Sequence, residues 1–269
     1  MTEHEEYKMK EIDNIDIIHT ILLEIAKEFH NICVNNKIPY FMLGGTMLGA
    51  IRHKGFIPWD DDMDFGVPRP YYNKLLDILE KDLQYPYRCC TYKNNQGVFA
   101  AFIKIDDCRT VANDPRVRLP IKQQIGVNID VFPLDYCKKD DKILKKIHRM
   151  LFIYQTIYVG NSFGSVWKNT IKTILSFICP ISRIKMLDLI HQELSKMNQG
   201  PILTNVFGVW KEKECVPLEW YGEGVMYPFA NTKFYGLKEY DKYLSQLYGD
   251  YLTPPKGDKH IHLNNIYWR

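Results

Sequence analysis

The sequence predicts a fold of the α+β class, close to α/β, because strand-like and helical segments alternate along its first half. Apolar residues recur at helical spacing over residues 15–34, and Asn14 is a suitable N-cap for that helix. Short apolar or alternating runs indicate the strands, at residues 38–43, 62–67, 98–105 and 125–134. These strands predict a modest sheet in the first half of the chain.

The second half has a different pattern, with helices followed by a hairpin and a last helix. The helical patterns lie at residues 138–159, 167–178 and 182–197, the hairpin at 222–236 and the last helix at 237–255. We therefore expect a catalytic core at residues 1–136, a helical insertion at 137–205 and a C-terminal segment, 206–269, that completes the domain.

Composition excludes several classes of protein. The 269 residues are 46% hydrophobic and 25% charged, which is ordinary for a globular protein, and a net charge of +3 without a basic stripe argues against nucleic-acid binding. The polar start "MTEHEEYKMK" does not resemble a secretory signal, and no apolar run is long enough to span a membrane. Seven Cys without a Cys-x-x-Cys pair favour reduced thiols in a cytoplasmic protein.

One stretch, "MLGGTMLGAIRHKGFIPWDDDMDFG" at residues 42–66, crowds four Asp into five positions. On a strand, Asp60, Asp62 and Asp64 would share one face, so their oxygens could converge on one divalent cation. Hard oxygen ligands favour Mg²⁺ or Mn²⁺. The alternative is a solvated acidic loop, but the many apolar neighbours of these carboxylates favour the metal site.

A glycine turn precedes the carboxylates. We expect Gly44 and Gly45 to end a strand and Thr46 to cap the next helix, which would aim backbone N–H groups at a phosphate. Taken alone, the pattern is more typical of a tight turn. Together with a metal site, it predicts phosphoryl or nucleotidyl transfer.

Two further charged residues lie within apolar strands. Asp130 lies between apolar residues in "GVNIDVFPLD", where an unpaired charge would cost free energy. We therefore expect Asp130 to be a metal ligand, a proton acceptor or a carboxylate paired within the protein. Lys104, in "AFIKIDD", is a candidate to hold a phosphate, or alternatively forms an ion pair or extends to solvent.

The long motif "GGTMLGAIRHKGFIPWDDDMDFGVPR" resembles the signature of the LicD family, the choline-phosphate transferases of bacterial surface glycans. The resemblance continues in "KIDD", in "GVNIDVFPLD" and in "LYGDYLTPP", followed by His260 and His262, and is weakest over residues 138–205. It implies a nucleotidyltransferase-like core with a small mixed sheet, and a relationship to the fukutin-related ribitol-phosphate transferases of animals. The cysteine zinc cluster of those animal relatives is absent from this sequence.

The resemblance also implies a reaction, in which CDP-choline and a sugar hydroxyl give a phosphocholine-sugar and CMP. Asp62 and Asp64 would hold the metal, and Asp130 would complete the metal site or accept the hydroxyl proton. The phosphate would lie at Gly44, Gly45 and Thr46.

Other candidate binding residues are less specific. Arg52 and His53 would offset charge on the leaving CMP or lie at a solvated helix end. Trp59, next to the carboxylates, is a candidate for an aromatic cage around choline, or a core tryptophan.

The sequence leaves several alternatives open. One is a donor that carries ribitol, glycerol or ethanolamine instead of choline, and others are a nucleotidyltransferase and a non-catalytic glycan-binding relative. The acceptor would be a glycan of the lipopolysaccharide, teichoic acid or capsule type, in some cases lipid-linked. The basic, apolar segment with Trp167, Ile171, Ile174 and Ile178 would then permit at most peripheral contact with the inner face of the membrane.

Overall fold

A computed structural model describes the elements that carry the candidate residues. It describes residues 9–114, 117, 119–159, 170, 173–176, 178, 180–197, 199–254 and 265–269. The N-terminal helix α1 (Ile15–Asn35) has a fully buried apolar face, and the Asn14 side chain caps it by accepting a hydrogen bond of 2.8 Å from the Asp16 N–H. The predicted first helix and its cap are therefore confirmed.

The centre of the molecule is a curled, mixed sheet. Its main path runs in the order β2 (Phe41–Met42), β3 (Asp64–Pro68), β7 (Asn128–Cys137), β5 (Ile103–Asp107) and β4 (Tyr87–Cys90). β3 and β7 are parallel, and the other neighbours are antiparallel. The far end of β7 also pairs with β8 (Ile202–Thr204), which pairs with β9 (Cys215–Pro217). This arrangement confirms the α+β class.

Two helices connect these strands. α2 (Gly44–Arg52) follows β2, and α3 (Arg69–Asp82) follows β3 and packs against β3, β4 and β7. The main apolar core lies between the sheet, α1 and these connections, with Phe29, Phe65 and Val131 completely buried within it.

The helical middle of the chain packs around a second apolar cluster. α4 (Lys142–Tyr154) continues into a π-helical turn, Gln155–Val159, and lies against α5 (Arg183–Leu194). Ile147, Leu187 and Ile190 are completely buried there. The division of the chain at residues 136 and 205 stays a prediction. Within the described residues, no helix has the length and apolar content needed to cross a bilayer.

The C-terminal segment packs back onto the first half of the chain. It contains the short helix α6 (Leu218–Tyr221), the hairpin of β10 (Val225–Phe229) and β11 (Thr232–Gly236), and α7 (Tyr240–Tyr248). β11 contacts β2, and α7 contacts α2. A separate small sheet joins β1 (Lys10–Glu11), β12 (Ile266–Trp268) and β6 (Thr110–Ala112). The predicted hairpin and last helix are confirmed.

Three local predictions need correction. The helix after the glycines begins at Gly44 with Leu43 as its N-cap, so Thr46 is a buried residue of the first turn and caps nothing. β3 begins at Asp64 rather than at residue 62. Asp60 and Asp62 therefore precede the strand, and alternation along a strand does not decide which way they point. β5 likewise begins at Ile103, after an irregular stretch.

Candidate active site

The sheet brings three charged side chains together across three neighbouring strands. Asp64 on β3 lies in register with Asp130 on β7, and Asp130 lies in register with Lys104 on β5. Residues in register on adjacent strands point to the same face of a sheet. The Lys104 ammonium is paired with the Asp130 carboxylate and donates a hydrogen bond of 3.0 Å to Asn128 Oδ1.

Two hydrogen bonds join the first turn of α2 to the start of β3. The Leu43 N–H donates to the Asp64 carbonyl at 2.9 Å, and the Asp64 N–H donates to the Thr46 hydroxyl at 2.7 Å. Thr46 therefore fixes the position of Asp64. These two bonds hold the glycines and the carboxylate beside each other.

Gly44 and Gly45 leave space for two carboxylates. A Cβ on Gly45 would lie 2.7 Å from Asp60 Oδ2, a distance that real Cβ atoms do not tolerate, and one on Gly44 would lie 3.6 Å from Asp64 Oδ2. Gly44 also has a φ of +47°, which favours glycine. The glycines thus allow Asp60 and Asp64 to approach the N-terminal end of α2.

Burial and neighbouring negative charges raise the pKa of two of the carboxylates, Asp64 and Asp60. Burial, followed by the charges of Asp62, Asp130 and Asp60, raises the pKa of Asp64 well above its usual range, and Lys104 opposes this rise. Burial and the charges of Asp62 and Asp61 raise the pKa of Asp60 to about 7. Since such shifts require proximity, Asp62 belongs to the same group although it is exposed.

The donor set fits a magnesium-type ion. Within the described ranges, no three His, Cys, Asp or Glu side chains are arranged as a ready-made metal cage. Mg²⁺, however, is commonly held by one or two carboxylates together with water and substrate phosphates. Asp62 and Asp64 are the carboxylates that suit this role, because their crowding is relieved by a cation. Asp130 is already paired with Lys104.

Two tyrosines of α7 complete the site, and sequence reasoning did not single them out. The Tyr243 hydroxyl accepts a hydrogen bond of 2.9 Å from the Gly44 N–H. The Tyr248 hydroxyl would lie 3.6 Å from a Cβ on Gly44, and the charges of Asp64 and Asp60 contribute to the raised pKa of Tyr248. The signal in the sequence was "LYGDYLTPP", the C-terminal part of the family resemblance, which contains Tyr248.

The remaining predicted residues are Arg52, His53 and Trp59. Arg52 and His53 lie at the end of α2, about 12 Å along the helix from Gly44. Arg52 donates to the Tyr251 carbonyl at 2.9 Å and to His53 Nε2 at 2.9 Å, and burial lowers its pKa. Trp59 is partly buried against the main core, beside Asp60.

A cavity of about 890 Å³ adjoins the ion pair on β5 and β7. Lys104 and Asn128 form part of its wall, so the face that carries Asp130 borders this space. The rest of the lining is largely apolar and aromatic, including Phe102, Tyr154 and Phe207. Such a mixture of apolar walls and a few polar groups is typical of small-molecule sites.

Comparison with known proteins identifies the family. Residues 37–148, which include the carboxylates, the glycines and Lys104, match the model of the LicD/FKTN/FKRP nucleotidyltransferase domain. The chain is 30% identical over 257 residues to the lipopolysaccharide cholinephosphotransferase LicD of Haemophilus influenzae, an alignment that covers 90% of this chain and 93% of that protein. The chain belongs to the LicD family.

Other relatives match a shorter part of this LicD-family chain. Uncharacterized proteins of Rickettsia typhi and Rickettsia prowazekii are each 39% identical to it, over 67 and 66 residues respectively. The alignment with the Haemophilus protein covers 90% of this chain and so extends to both sides of the family domain.

Proposed function

We propose that this protein transfers phosphocholine from CDP-choline to a hydroxyl group of a cell-surface glycan and releases CMP. It is a phosphotransferase of the LicD family. The observation that carries the proposal is the convergence of Asp64, Asp130 and Lys104 on three adjacent strands, next to a glycine-rich helix start. Phosphoryl transfer depends mainly on positioning and on charge neutralisation, and this arrangement supplies groups for both.

Asp62 and Asp64 would hold Mg²⁺ or Mn²⁺, which would neutralise charge on the diphosphate. Thr46 orients Asp64 through the backbone bond described above. Gly44 and Gly45 keep the approach to the carboxylates open, because side chains there would occupy the space next to Asp60 and Asp64. The Gly44 N–H already donates a hydrogen bond to the Tyr243 hydroxyl. Gly44 would therefore provide space for the phosphate rather than a hydrogen bond to it.

Asp130 would accept the proton of the attacking hydroxyl. A new bond forms between the acceptor oxygen and the phosphorus attached to choline, and the phosphoanhydride bond breaks, with its electron pair leaving on CMP. Lys104 holds the Asp130 carboxylate in place and brings a positive charge to the transferred phosphate. The alternative role for Asp130, a third metal ligand, would require it to leave Lys104.

The cavity beside Lys104 and Asn128 is the natural place for the acceptor, since it opens next to the proposed base. Lipopolysaccharide is the acceptor class that the name of the Haemophilus relative suggests, and teichoic acid or a capsule-type glycan requires the same hydroxyl chemistry. Such glycans are built on lipid carriers, so we propose that the enzyme works at the cytoplasmic face of the membrane.

A panel of CDP-alcohols tests the donor and the reaction together. CDP-choline, CDP-ethanolamine, CDP-glycerol and CDP-ribitol are each incubated with purified protein and acceptor lipopolysaccharide, with and without Mg²⁺. We expect CMP release to be fastest with CDP-choline and to require Mg²⁺. A preference for CDP-ribitol or CDP-glycerol would reassign the donor, and pyrophosphate release from CTP would instead indicate a nucleotidyltransferase.

A further inference from the structure

Two aromatic rings from the C-terminal half meet at a right angle near the carboxylates. Trp210 and Tyr248 have ring centroids 5.4 Å apart and an interplanar angle of 86°. Trp210 precedes the 3₁₀ turn Lys211–Glu214, and Tyr248 is the last residue of α7. Perpendicular rings form two walls of a corner, an arrangement that can face a compact cation with more than one π surface.

The corner borders the proposed phosphate site. The position of a Cβ on Gly44 would be 3.6 Å from both the Tyr248 hydroxyl and Asp64 Oδ2, so these two groups face the same small space. Choline is joined to its phosphate by only two carbons. A phosphate at the first turn of α2 would therefore place the ammonium within reach of the Tyr248 and Trp210 rings.

The Trp210 ring already attracts a cation. Lys213 Nζ lies 5.3 Å from its centroid and is held there by a hydrogen bond of 3.0 Å to the Leu247 carbonyl. Trp210 is nevertheless 39% exposed, so part of its surface is open to a ligand. Trp59, by comparison, packs against the main core.

The chemistry of the corner suits a quaternary ammonium. A trimethylammonium group donates no hydrogen bonds, so it is recognised by aromatic faces and by nearby negative charge. Asp60 and Asp64 lie next to Tyr248, and the buried Glu214 also acts on it electrostatically. Neutral alcohols such as glycerol or ribitol would gain nothing from this combination.

We propose that Trp210 and Tyr248 form the subsite for the trimethylammonium group of the donor, and so select choline over other alcohols. This inference rests on the proposed function, because it names the part of the same site that binds choline.

The test compares donor selectivity in two tryptophan variants. Trp210→Leu removes one wall of the corner. Trp220→Leu is the matched control, because Trp220 is also partly buried and has a lysine, Lys242, 5.9 Å from its ring, but it packs on the main core. The measured quantity is kcat/KM for CDP-choline divided by kcat/KM for CDP-ethanolamine, from CMP release, with folding checked by thermal melting.

We expect this ratio to fall about tenfold in Trp210→Leu, through a higher KM for CDP-choline, and to stay unchanged in Trp220→Leu. Trp210→Phe, which keeps an aromatic face, should recover most of the selectivity. If Trp210→Leu fails to fold, Tyr248→Leu carries the test, with a lowered ratio expected.

The two possible failures are distinguishable. Wild-type protein that releases no CMP from CDP-choline would contradict the proposed function itself. An active wild type with an unchanged ratio in folded Trp210→Leu, or in folded Tyr248→Leu where Trp210→Leu does not fold, would contradict the ammonium subsite alone, because equal losses with both donors indicate a structural role for the substituted ring.

Discussion

Two sets of carboxylates in and beside the central sheet differ in how their negative charge is compensated. In the paired set, each buried carboxylate has its own arginine: Asp106 with Arg88, Asp107 with Arg109, and Asp135 with Arg69. In the crowded set, formed by Asp60, Asp62, Asp64 and Asp130, burial and then the neighbouring negative charges raise the pKa of Asp60 and of Asp64, and Lys104 opposes this rise at Asp64.

The contrast separates structural from functional charge. Asp135 and its arginine form two hydrogen bonds, of 2.6 and 2.7 Å, and the aspartate side chain is fully buried, as expected for a permanent structural pair. The crowded set would cost free energy in the same fold unless an added positive charge compensates it. The proposed metal ion and the substrate would supply that compensation at the crowded set.

The largest effect should follow from neutralising the crowded set. Asp64→Asn and Asp62→Asn should each lower kcat by about a thousandfold or more, because metal and diphosphate lose their anchor. Thermal stability should be unchanged or higher, since repulsion between carboxylates is relieved. Asp77→Asn, on the exposed side of α3, is the control and should remain active. A fully active, folded Asp64→Asn protein would remove Asp64 from the site.

The paired set should respond in the opposite sense. Asp135→Asn leaves the Arg69 guanidinium without its counterion inside the protein, so we expect a loss of about 3–5 kcal/mol in the free energy of unfolding. Urea denaturation measures it. The double variant Arg69→Met/Asp135→Leu should recover part of that loss. If Asp64→Asn lowers the free energy of unfolding more than Asp135→Asn does, the distinction between a stabilising paired set and a crowded set that costs free energy is wrong.

Acid should lower the free energy of unfolding through His191, a neighbour of the paired set whose Nδ1 lies 3.4 Å from the Arg69 guanidinium. Burial, followed by the charge of Arg69, lowers the pKa of His191 to about 4. The unfolded chain, with a histidine pKa of about 6.5, takes up the proton first as pH falls. This contribution is fully present above pH ~6.5 and is lost towards pH ~4, a change of about 3 kcal/mol.

Urea titrations at pH 7 and pH 4.5 measure this loss. His191→Gln cannot titrate, so the drop in its free energy of unfolding between the two pH values should be smaller than that of the wild type. Equal drops in both proteins would show that other groups account for the acid sensitivity.

Asp130 stands between the two sets, because it has a cation partner and also borders the crowded carboxylates. Asp130→Asn should lower kcat by about a hundredfold while the KM for CDP-choline changes little, as expected for a base. Asn128→Ala, which removes the other acceptor of Lys104, is the control and should have a much smaller effect. A variant that instead needs more Mg²⁺ for half-maximal activity would place Asp130 among the metal ligands.

The smallest effect concerns the helical segment, where two apolar side chains among the described residues are exposed. Ile174 and Ile178 are 50% and 71% exposed, whereas Trp167 and Ile171 lie outside the described residues. We expect weak binding to anionic vesicles at low salt, lost when salt screens the basic residues. Co-sedimentation at two salt concentrations measures it, and Ile174→Ser/Ile178→Ser should reduce it. Absence of binding at low salt would rule out this contact.

Local patterns in the sequence were sufficient for part of this structure. The spacing of apolar residues in α1 and the cap at Asn14 predicted that helix, and the apolar neighbours of Asp130 marked it as unusual. For Lys104 the pattern left a phosphate site and an ion pair open, and the structure has the ion pair.

Other features depend on contacts between distant residues. Thr46 was expected to cap α2, but the hydroxyl is used by the Asp64 N–H, a partner that only the folding of β3 beside α2 provides. The alternation argument did not apply to Asp60 and Asp62, because β3 begins after them. Trp210, Tyr243 and Tyr248 come more than 160 positions after Gly44 in the sequence, beyond the range of any periodicity.

The bond between Tyr243 and Gly44 also bears on how the protein is made. These residues are 199 positions apart. The Gly44 N–H can therefore form this hydrogen bond only after α7 has been synthesised and has packed on α2. Contacts this distant along the chain form late and slow folding. A nascent chain that ends before Tyr243 would therefore carry the family's carboxylate motif without a finished site. Enzymatic activity should accordingly arise in one step, after α7 has been synthesised, rather than accumulate as the N-terminal half emerges.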